Sequence, residues 1–351
     1  MKVIIICLLL ILNIIFLVYF LRFKTVNVNF YKCPHKLNHK ILNKFYKNFN
    51  FSNNFDIYMP CGYNYIEQEL ENFDVPKETK YIFGLKNCDR IVSKNRLWEI
   101  LRYTGTMPSS YVLPVEYDKV SLELDRGNIL IAKKNLQRKL GLKIVENKKD
   151  LNDVVKEEFK ICQVFLRDAL LINERKINLR VYLMVIYKDD KLRFYIHQNG
   201  KCLYTKLKNQ EKFDFESHIT SFNMDQDIYL ENPHNFDELR KIVEWNRLWK
   251  NIKNNLRRVC EAIGKELRQP DKFKSLMCFQ LFGLDYLVNK DLGVYLLEIN
   301  KGPDMIPKNE KDDLLKTKIY EDTFNMVGLY NLGWNRNRYE KIYEHKFSYK
   351  K

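Results

Sequence analysis

Residues 294–305 read Val-Tyr-Leu-Leu-Glu-Ile-Asn-Lys-Gly-Pro-Asp-Met, an apolar run that finishes in a carboxylate and an amide two positions apart and then meets a Gly-Pro turn. In an extended strand alternate side chains share a face. The spacing therefore predicts Val294, Leu296, Glu298 and Asn300 on one face and Tyr295, Leu297 and Ile299 on the other. Upstream, residues 278–288 (CFQLFGLDYLV) alternate in the same way and carry Asp285 near their end. The intervening Asn-Lys-Asp-Leu-Gly has hairpin length and sets Asp285 opposite the Glu298 end of its partner. Mg²⁺ takes one or two carboxylates and completes its shell with waters and phosphate oxygens. A lone strand-end acid is ordinarily solvated; Asp285, Glu298 and Asn300 together on paired strands point to a metal that holds a nucleotide.

The rest of the composition bounds the partners. At 46% hydrophobic the 351-residue chain has material for a large core, which excludes a disordered protein. A formal charge of +16 calls for an anionic partner such as nucleic acid, an anionic membrane surface, an acidic protein tail or a nucleotide. Residues 3–21 hold one strongly polar side chain, Asn13, and at about 1.5 Å per residue they are long enough to cross a bilayer. This predicts a single-pass membrane anchor rather than a cleaved signal peptide, whose apolar core is shorter and is followed by a small-residue cleavage site. Lys2 lies on one side and Arg22, Lys24, Lys32, Lys36 and Lys40 on the other, so the positive-inside rule places the body in the cytosol. The eight cysteines show no CxxC or zinc-knuckle spacing and read as reduced thiols.

Along the chain, residues 25–80 show weak patterning and read as a stalk entering a small domain. Residues 93–105 predict a capped helix ending at Gly105, and residues 111–114 and 128–135 predict short strands. Apolar positions from Phe236 to Leu267 follow a helical period, giving one long amphipathic helix or two in tandem, capped by Asn235 and followed by Pro270, with Trp245 and Trp249 in the core.

Three further stretches carry chemistry. Residues 129–134 (ILIAKK) form an apolar strand ending in Lys133, within reach of nucleotide phosphates. Residues 162–185 lead into a strand whose Lys176, Asn178 and Arg180 share a face, and two cations there favour phosphate oxygens. Residues 217–220 (SHIT) supply an imidazole and a hydroxyl.

In this order the segments resemble the tubulin-tyrosine-ligase-like family of ATP-grasp amino-acid ligases, over about residues 85–330. KINLRVYLMV is similar to that family's Lys-Phe-Asp-Leu-Arg-Val-Tyr strand, SHIT to its His-Leu-Thr-Asn, and FGLDYLV with LLEINKGPDM to its Phe-Gly-Phe-Asp and Leu-Leu-Glu-Val-Asn-x-x-Pro. The resemblance implies an α+β, ATP-grasp fold: a transmembrane segment (1–24), a stalk and small N-terminal domain (25–108), a central lobe (109–170), a C-terminal lobe (171–332) and a basic tail (333–351). It implies that Lys133 holds the α and β phosphates and that Gln163, Val164, Phe165 and Leu166 form the hinge against the adenine. Lys176 and Arg180 would be the catalytic cations at the terminal phosphates, with Asn178 beside them, and His218, Ile219 and Thr220 would order the nucleotide. Asp285, Glu298 and Asn300 would bind Mg²⁺. The implied reaction activates a carboxylate with ATP as an acyl-phosphate and joins it to an amine, adding Glu, Gly or Tyr to an acidic protein tail such as that of tubulin.

The chain departs from the family pattern at four places. The phosphate loop QRKLGLKI keeps only Gly141, with Arg138 or Lys139 to substitute by charge. Asn178 takes an acidic position, Ser221 replaces an amide, and Leu203 stands where an Arg is expected, leaving Lys201 or Lys206 as stand-ins. These departures motivate an alternative: a catalytically weak pseudo-ligase that tethers microtubules or another acidic partner to a membrane. Nucleic-acid binding by the basic, Tyr-bearing C-terminus has no recognised reader motif behind it.

Overall fold

The apolar alternation around residue 180 becomes the spine of a mixed α+β fold in the computed structural model, which describes residues 12, 26–28, 49–60, 66–136, 141–220, 225–329 and 336–347. The apolar stretch 3–21, apart from Leu12, lies outside the described residues, as do Arg138, Lys139 and Ser221. No helix among the described residues is long and apolar enough to cross a membrane.

In chain order the strands are β1 (Val26–Val28), β2 (Phe49–Phe51), β3 (Ile57–Tyr58), β4 (Tyr81–Ile82), β5 (Ser110–Val112), β6 (Leu130–Lys133), β7 (Leu142–Val145), β8 (Ile161–Val164), β9 (Leu171–Ile172), β10 (Arg175–Lys188), β11 (Lys191–His197), β12 (Lys201–Tyr204), β13 (Met277–Val288), β14 (Val294–Asn300) and β15 (Tyr339–Lys346). The larger sheet runs β15-β11-β10-β13-β4-β3-β1-β2, with β9 and β12 also on β10 and β14 on β13; β5-β8-β6-β7 form a second sheet. Its centre is the antiparallel ladder from Asn178 opposite Leu287 to Tyr187 opposite Cys278.

The two faces of that ladder have different fates. Leu179, Val181 and Leu183 of β10 and Phe282, Leu284 and Tyr286 of β13 enter a core closed by helix Trp245–Gly264, whose Leu248, Ile252, Leu256, Val259 and Ile263 are buried against it. On the other face Tyr182, Met184, Ile186, Phe279 and Leu281 pack against Leu315, Ile319 and Phe324 of helix Glu310–Met326. That second core involves the Lys188 half of β10. The half carrying Lys176, Asn178 and Arg180 instead lines a cavity shared with the smaller sheet, which has its own core of Leu130, Ala132, Val145, Leu151, Val154 and Cys162.

The structure refines several local expectations. The predicted helix over 93–105 runs only from Lys94 to Leu101, and Ser93 makes no side-chain cap bond; Gly105 sits at φ +64 beyond it. Of the two readings for residues 235–268, tandem elements are found: Asn235 caps a single turn, Phe236–Leu239, by accepting from Glu238 N, and the long helix starts afresh at Trp245. In residues 25–108, β4 pairs in parallel with β13 and carries β3, β1 and β2 onto the larger sheet. Part of the basic tail is a strand, β15, in antiparallel register with β11. Five described cysteines are free and buried.

Asn255 ties the long helix to the functional strands. It is 2% exposed, and its Nδ2 donates to the carbonyls of Thr106 (3.1 Å) and Val294 (3.0 Å). Two such bonds at about 0.5–1.5 kcal/mol each sum to about 1–3 kcal/mol. Asn255→Leu is expected to lower unfolding stability by about that amount, read as a reduced urea midpoint with an unchanged slope.

Candidate functional site

Register places the site. Leu284 pairs with Ile299 and Asp285 with Glu298, but Tyr286 then pairs with Leu296, so Leu297 is an extra residue on β14. A bulge of this kind re-aims the side chains beyond it. It corrects the face predicted from simple alternation: Val294, Leu296 and Ile299 all enter the helix-side core, whereas Leu297, Glu298 and Asn300 line the cavity. The polar pair thus belongs to a different face from the apolar run before it. Gly283, opposite Asn300, leaves room for Arg180; a Cβ there would lie 3.1 Å from Arg180 Cδ and 2.8 Å from Pro303 Cβ.

Between the two sheets lies a cavity of about 650 Å³, and every described residue to which the resemblance assigns nucleotide or metal lines it. From the smaller sheet come Lys133 at the end of β6 and the hinge residues Gln163, Val164, Phe165 and Leu166. From the larger come Lys176, Asn178 and Arg180, with Asp285, Glu298 and Asn300 from the β13-β14 hairpin; His218 at the end of a single helical turn and Ile219 and Thr220 just after it also line the cavity. Lys134, next to Lys133, instead places its ammonium over the Phe159 ring at 4.7 Å. Val164 N and Phe165 N are spent on Ser109 and Ile129 carbonyls. Those two amides are therefore not open to a ligand.

Charge in the cavity is unevenly matched. Lys133 donates to Gln163 Oε1 (2.6 Å), and Lys176 lies 4.4 Å from the Phe165 ring centre; neither pairs with a carboxylate among the described residues. Burial, with Lys94 adding repulsion, draws Lys133 down to about 8, and burial together with the charge of Lys133 draws Lys176 down to about 7. An arriving oxyanion would reverse both effects. Asn178 Nδ2 donates to Thr220 Oγ1 (3.0 Å), while its buried Oδ1 has no partner among the described residues. His218 stacks on Phe213, and burial lowers its pKa below the ordinary imidazole value.

Opposite these cations are two carboxylates. Arg180 grips Asp285 through Nε and through Nη2, the latter at 3.0 Å. Glu298 accepts from Asn300 Nδ2 (3.2 Å) and lies 3.7 Å from Lys94 Nζ. Burial, reinforced by the neighbouring Glu298, raises the Asp285 pKa; Lys94 and Lys133 outweigh burial at Glu298 and lower its value. The described residues hold no cluster of three or more His, Cys, Asp or Glu able to take a metal. Two carboxylates and an amide oxygen suit an ion that keeps waters and phosphate oxygens in its shell, which is the habit of Mg²⁺. The residues present fit that ion.

Several lining residues were not anticipated. Lys94, first residue of its helix, bonds the Leu136 carbonyl (2.9 Å) and faces Glu298; a helix-start lysine gives no local sign of this. Ile131, Leu142 and Leu287 form an apolar slot of the kind that takes a flat ring. Of the two stand-ins for the missing Arg, Lys201 lines the cavity, and Lys206 is exposed and paired with Glu216 (2.9 Å).

Lys133 and Lys176 carry more protons in the unfolded chain than in the fold between about pH 7 and the ordinary lysine value. Stability of the ligand-free protein therefore rises as pH increases through that window, while affinity for oxyanions falls. Thermal melting should show a tripolyphosphate increment that shrinks from about pH 7 to about pH 9, with Lys176→Met removing much of both trends.

The family profile for the tubulin-tyrosine ligase family matches residues 76–333. The chain is 24% identical over 269 residues to tubulin polyglutamylase ttll-4 of Caenorhabditis elegans, covering 68% of this chain and 44% of that protein. It is also 24% identical over 253 residues to a probable beta-tubulin polyglutamylase of Tetrahymena thermophila (63% and 21%) and over 262 residues to the probable human tubulin polyglutamylase TTLL2 (64% and 41%). The chain thus spans less than half the length of these curated relatives. The match runs through both sheets and every strand that lines the cavity, and the chain belongs to the tubulin-tyrosine ligase family.

Proposed function

We propose that this protein is an ATP-dependent, Mg²⁺-using protein amino-acid ligase of ATP-grasp architecture, which extends the acidic tail of a protein such as tubulin by forming an amide or isopeptide bond. The observation that carries the reading is a half-buried lysine, Lys133, and a buried one, Lys176, neither with a carboxylate partner among the described residues, lining one cavity with Asp285 and Glu298. A group carrying phosphates and a divalent ion satisfies both halves at once. The curated relatives named as polyglutamylases favour glutamate as the added amino acid.

Each residue's work follows from its position. The slot of Ile131, Leu142 and Leu287 takes the base. Lys133 and Lys176 hold phosphate oxygens, and Asp285, Glu298 and Asn300 would hold Mg²⁺. When bound, ATP with its metal supplies the phosphoryl group that activates a carboxylate. Arg180, held in place by Asp285, presents its remaining N–H donors where charge develops, a contribution of positioning and electrostatics. The +16 chain draws acidic tails by long-range attraction that fades with salt. Residues 3–21 would tether this body to a membrane, with the cavity on the cytosolic side.

A second reading, a pseudo-ligase that binds an acidic partner at a membrane without turnover, is favoured by one contact: Arg180 occupies Asp285 on both oxygens, and Leu203 offers no second guanidinium.

Incubation of the protein with ATP, Mg²⁺, labelled glutamate and tubulin is expected to place label in tubulin. Glu298→Gln should reduce the rate at least about 100-fold. Absence of ATP binding at millimolar nucleotide would sink the ligase reading. Tubulin binding that needs no ATP and is unchanged in Glu298→Gln, without labelling, would establish the second.

A further inference from the structure

The match to the family profile stops at residue 333, and the segment beyond it, which enters β15, is built into the body at one turn. That turn, residues 197–200, leads from β11 into β12, a strand of four residues whose first is Lys201. Lys201 pairs across the ladder with Arg180 and lines the cavity, so the residues just before it set where its ammonium sits. The turn is pressed against β10: a Cβ on Gly200 would collide with the Arg180 carbonyl oxygen and with the Phe236 ring.

Each of the four residues has its own tether. His197 Nε2 lies 3.0 Å from Asp322 Oδ2, with both side chains fully buried. Gln198 N donates to the Arg338 carbonyl (2.9 Å). Asn199, buried at 6% exposure, accepts on Oδ1 from Gly200 N (2.9 Å) and Phe236 N (3.0 Å), and its Nδ2 donates to Asp237 Oδ2 (2.7 Å). Arg338 closes three of these links at once. Its carbonyl takes Gln198 N, its backbone N–H donates to Asp322 Oδ2 (3.2 Å), and its guanidinium donates to both oxygens of Asp237, each at 2.7 Å. A guanidinium fork on a carboxylate fixes direction as well as distance. Arg240 also comes within 2.9 Å of Asp237 Oδ1; its Nε and Nη2 donate as well to the Phe236 and Gln198 carbonyls, so its donors are divided.

We propose that Arg338 is a positioning residue: through Asp237 and Asn199 it holds residues 197–200 against β10, and so keeps Lys201 in the cavity beside Arg180. The links run from a residue beyond the family match to the cavity wall without passing through any residue assigned to nucleotide or metal. The effect of Arg338 on turnover rests on the ligase reading above; its effect on Lys201 does not.

The test is limited acetylation of the full chain by a water-soluble succinimidyl ester, with the rate at each lysine read by peptide mass spectrometry. Arg338→Ala should speed modification of Lys201, 7% exposed in the fold, at least about fivefold while Lys133 and Lys176 stay within about twofold of wild type. Arg338→Lys should recover most of the protection. In the tubulin-labelling assay Arg338→Ala should lower kcat at least about 10-fold with KM for ATP unchanged. Arg338→Gln is read in the same way should Arg338→Ala not fold. The inference is overturned if Lys201 reacts as slowly in the variant as in wild type, if Lys133 and Lys176 quicken along with it, or if a protein that labels tubulin keeps its kcat. A wild-type protein that labels nothing would discard the ligase, and the acetylation rates would still decide the role of Arg338.

Discussion

The Arg180–Asp285 pair is the contact on which the rest of the site depends. The two residues are 105 positions apart in the chain and face each other across the β10-β13 ladder. Both are largely buried, at 17% and 14% side-chain exposure. Breaking a buried pair by removing one partner leaves an uncompensated charge and costs several kcal/mol, so the pair pins the register of the ladder. Once that register is set, Glu298 must stand beside Asp285 and Lys201 beside Arg180. Gly283 makes the contact possible, because any side chain there would collide with the arginine and with Pro303.

The cavity has an electrostatic plan that follows from how the two faces of one sheet are covered. Helix Trp245–Gly264 closes one face, and helix Glu310–Met326 packs on the Lys188 half of the other. What is left is a strip of β10, β13 and β14 facing the smaller sheet. Charged side chains on that strip are shielded from bulk water yet not all paired with one another. Burial disfavours the charged form of a lysine and lowers the pKa of Lys133, Lys176 and Lys201, an effect that a nearby anion would reverse.

Much of this was legible in the chain. The alternation in residues 175–188 and 277–288 appears as the two longest strands, the hairpin sets Asp285 against Glu298, and Lys133 comes from a strand expected on its apolar run alone, whereas the hinge stretch, read as an apolar lead-in, begins in a strand of its own, Ile161–Val164. The resemblance of the ordered segments agrees with the family match over residues 76–333. Other features had no local sign. The extra residue Leu297 is invisible in β14 because a bulge is a property of two strands, and only the pairing with β13 reveals it. The basic C-terminus reads as solvated by composition, yet Tyr339, Ile342 and Tyr343 lie beside β11, whose sequence is some 150 residues away. Lys94 and Lys201 look like ordinary surface lysines until the fold buries them.

The sequence by itself determined which residues could share a face, because strand alternation is a local property of backbone geometry. It determined the order of the chemical segments and therefore the family. Only the tertiary structure decided where that alternation is interrupted, which of Lys201 and Lys206 enters the cavity, and which buried lysines lack a carboxylate. Those outcomes depend on contacts between residues distant in the chain, where desolvation acts on pairs of charges rather than on single residue types.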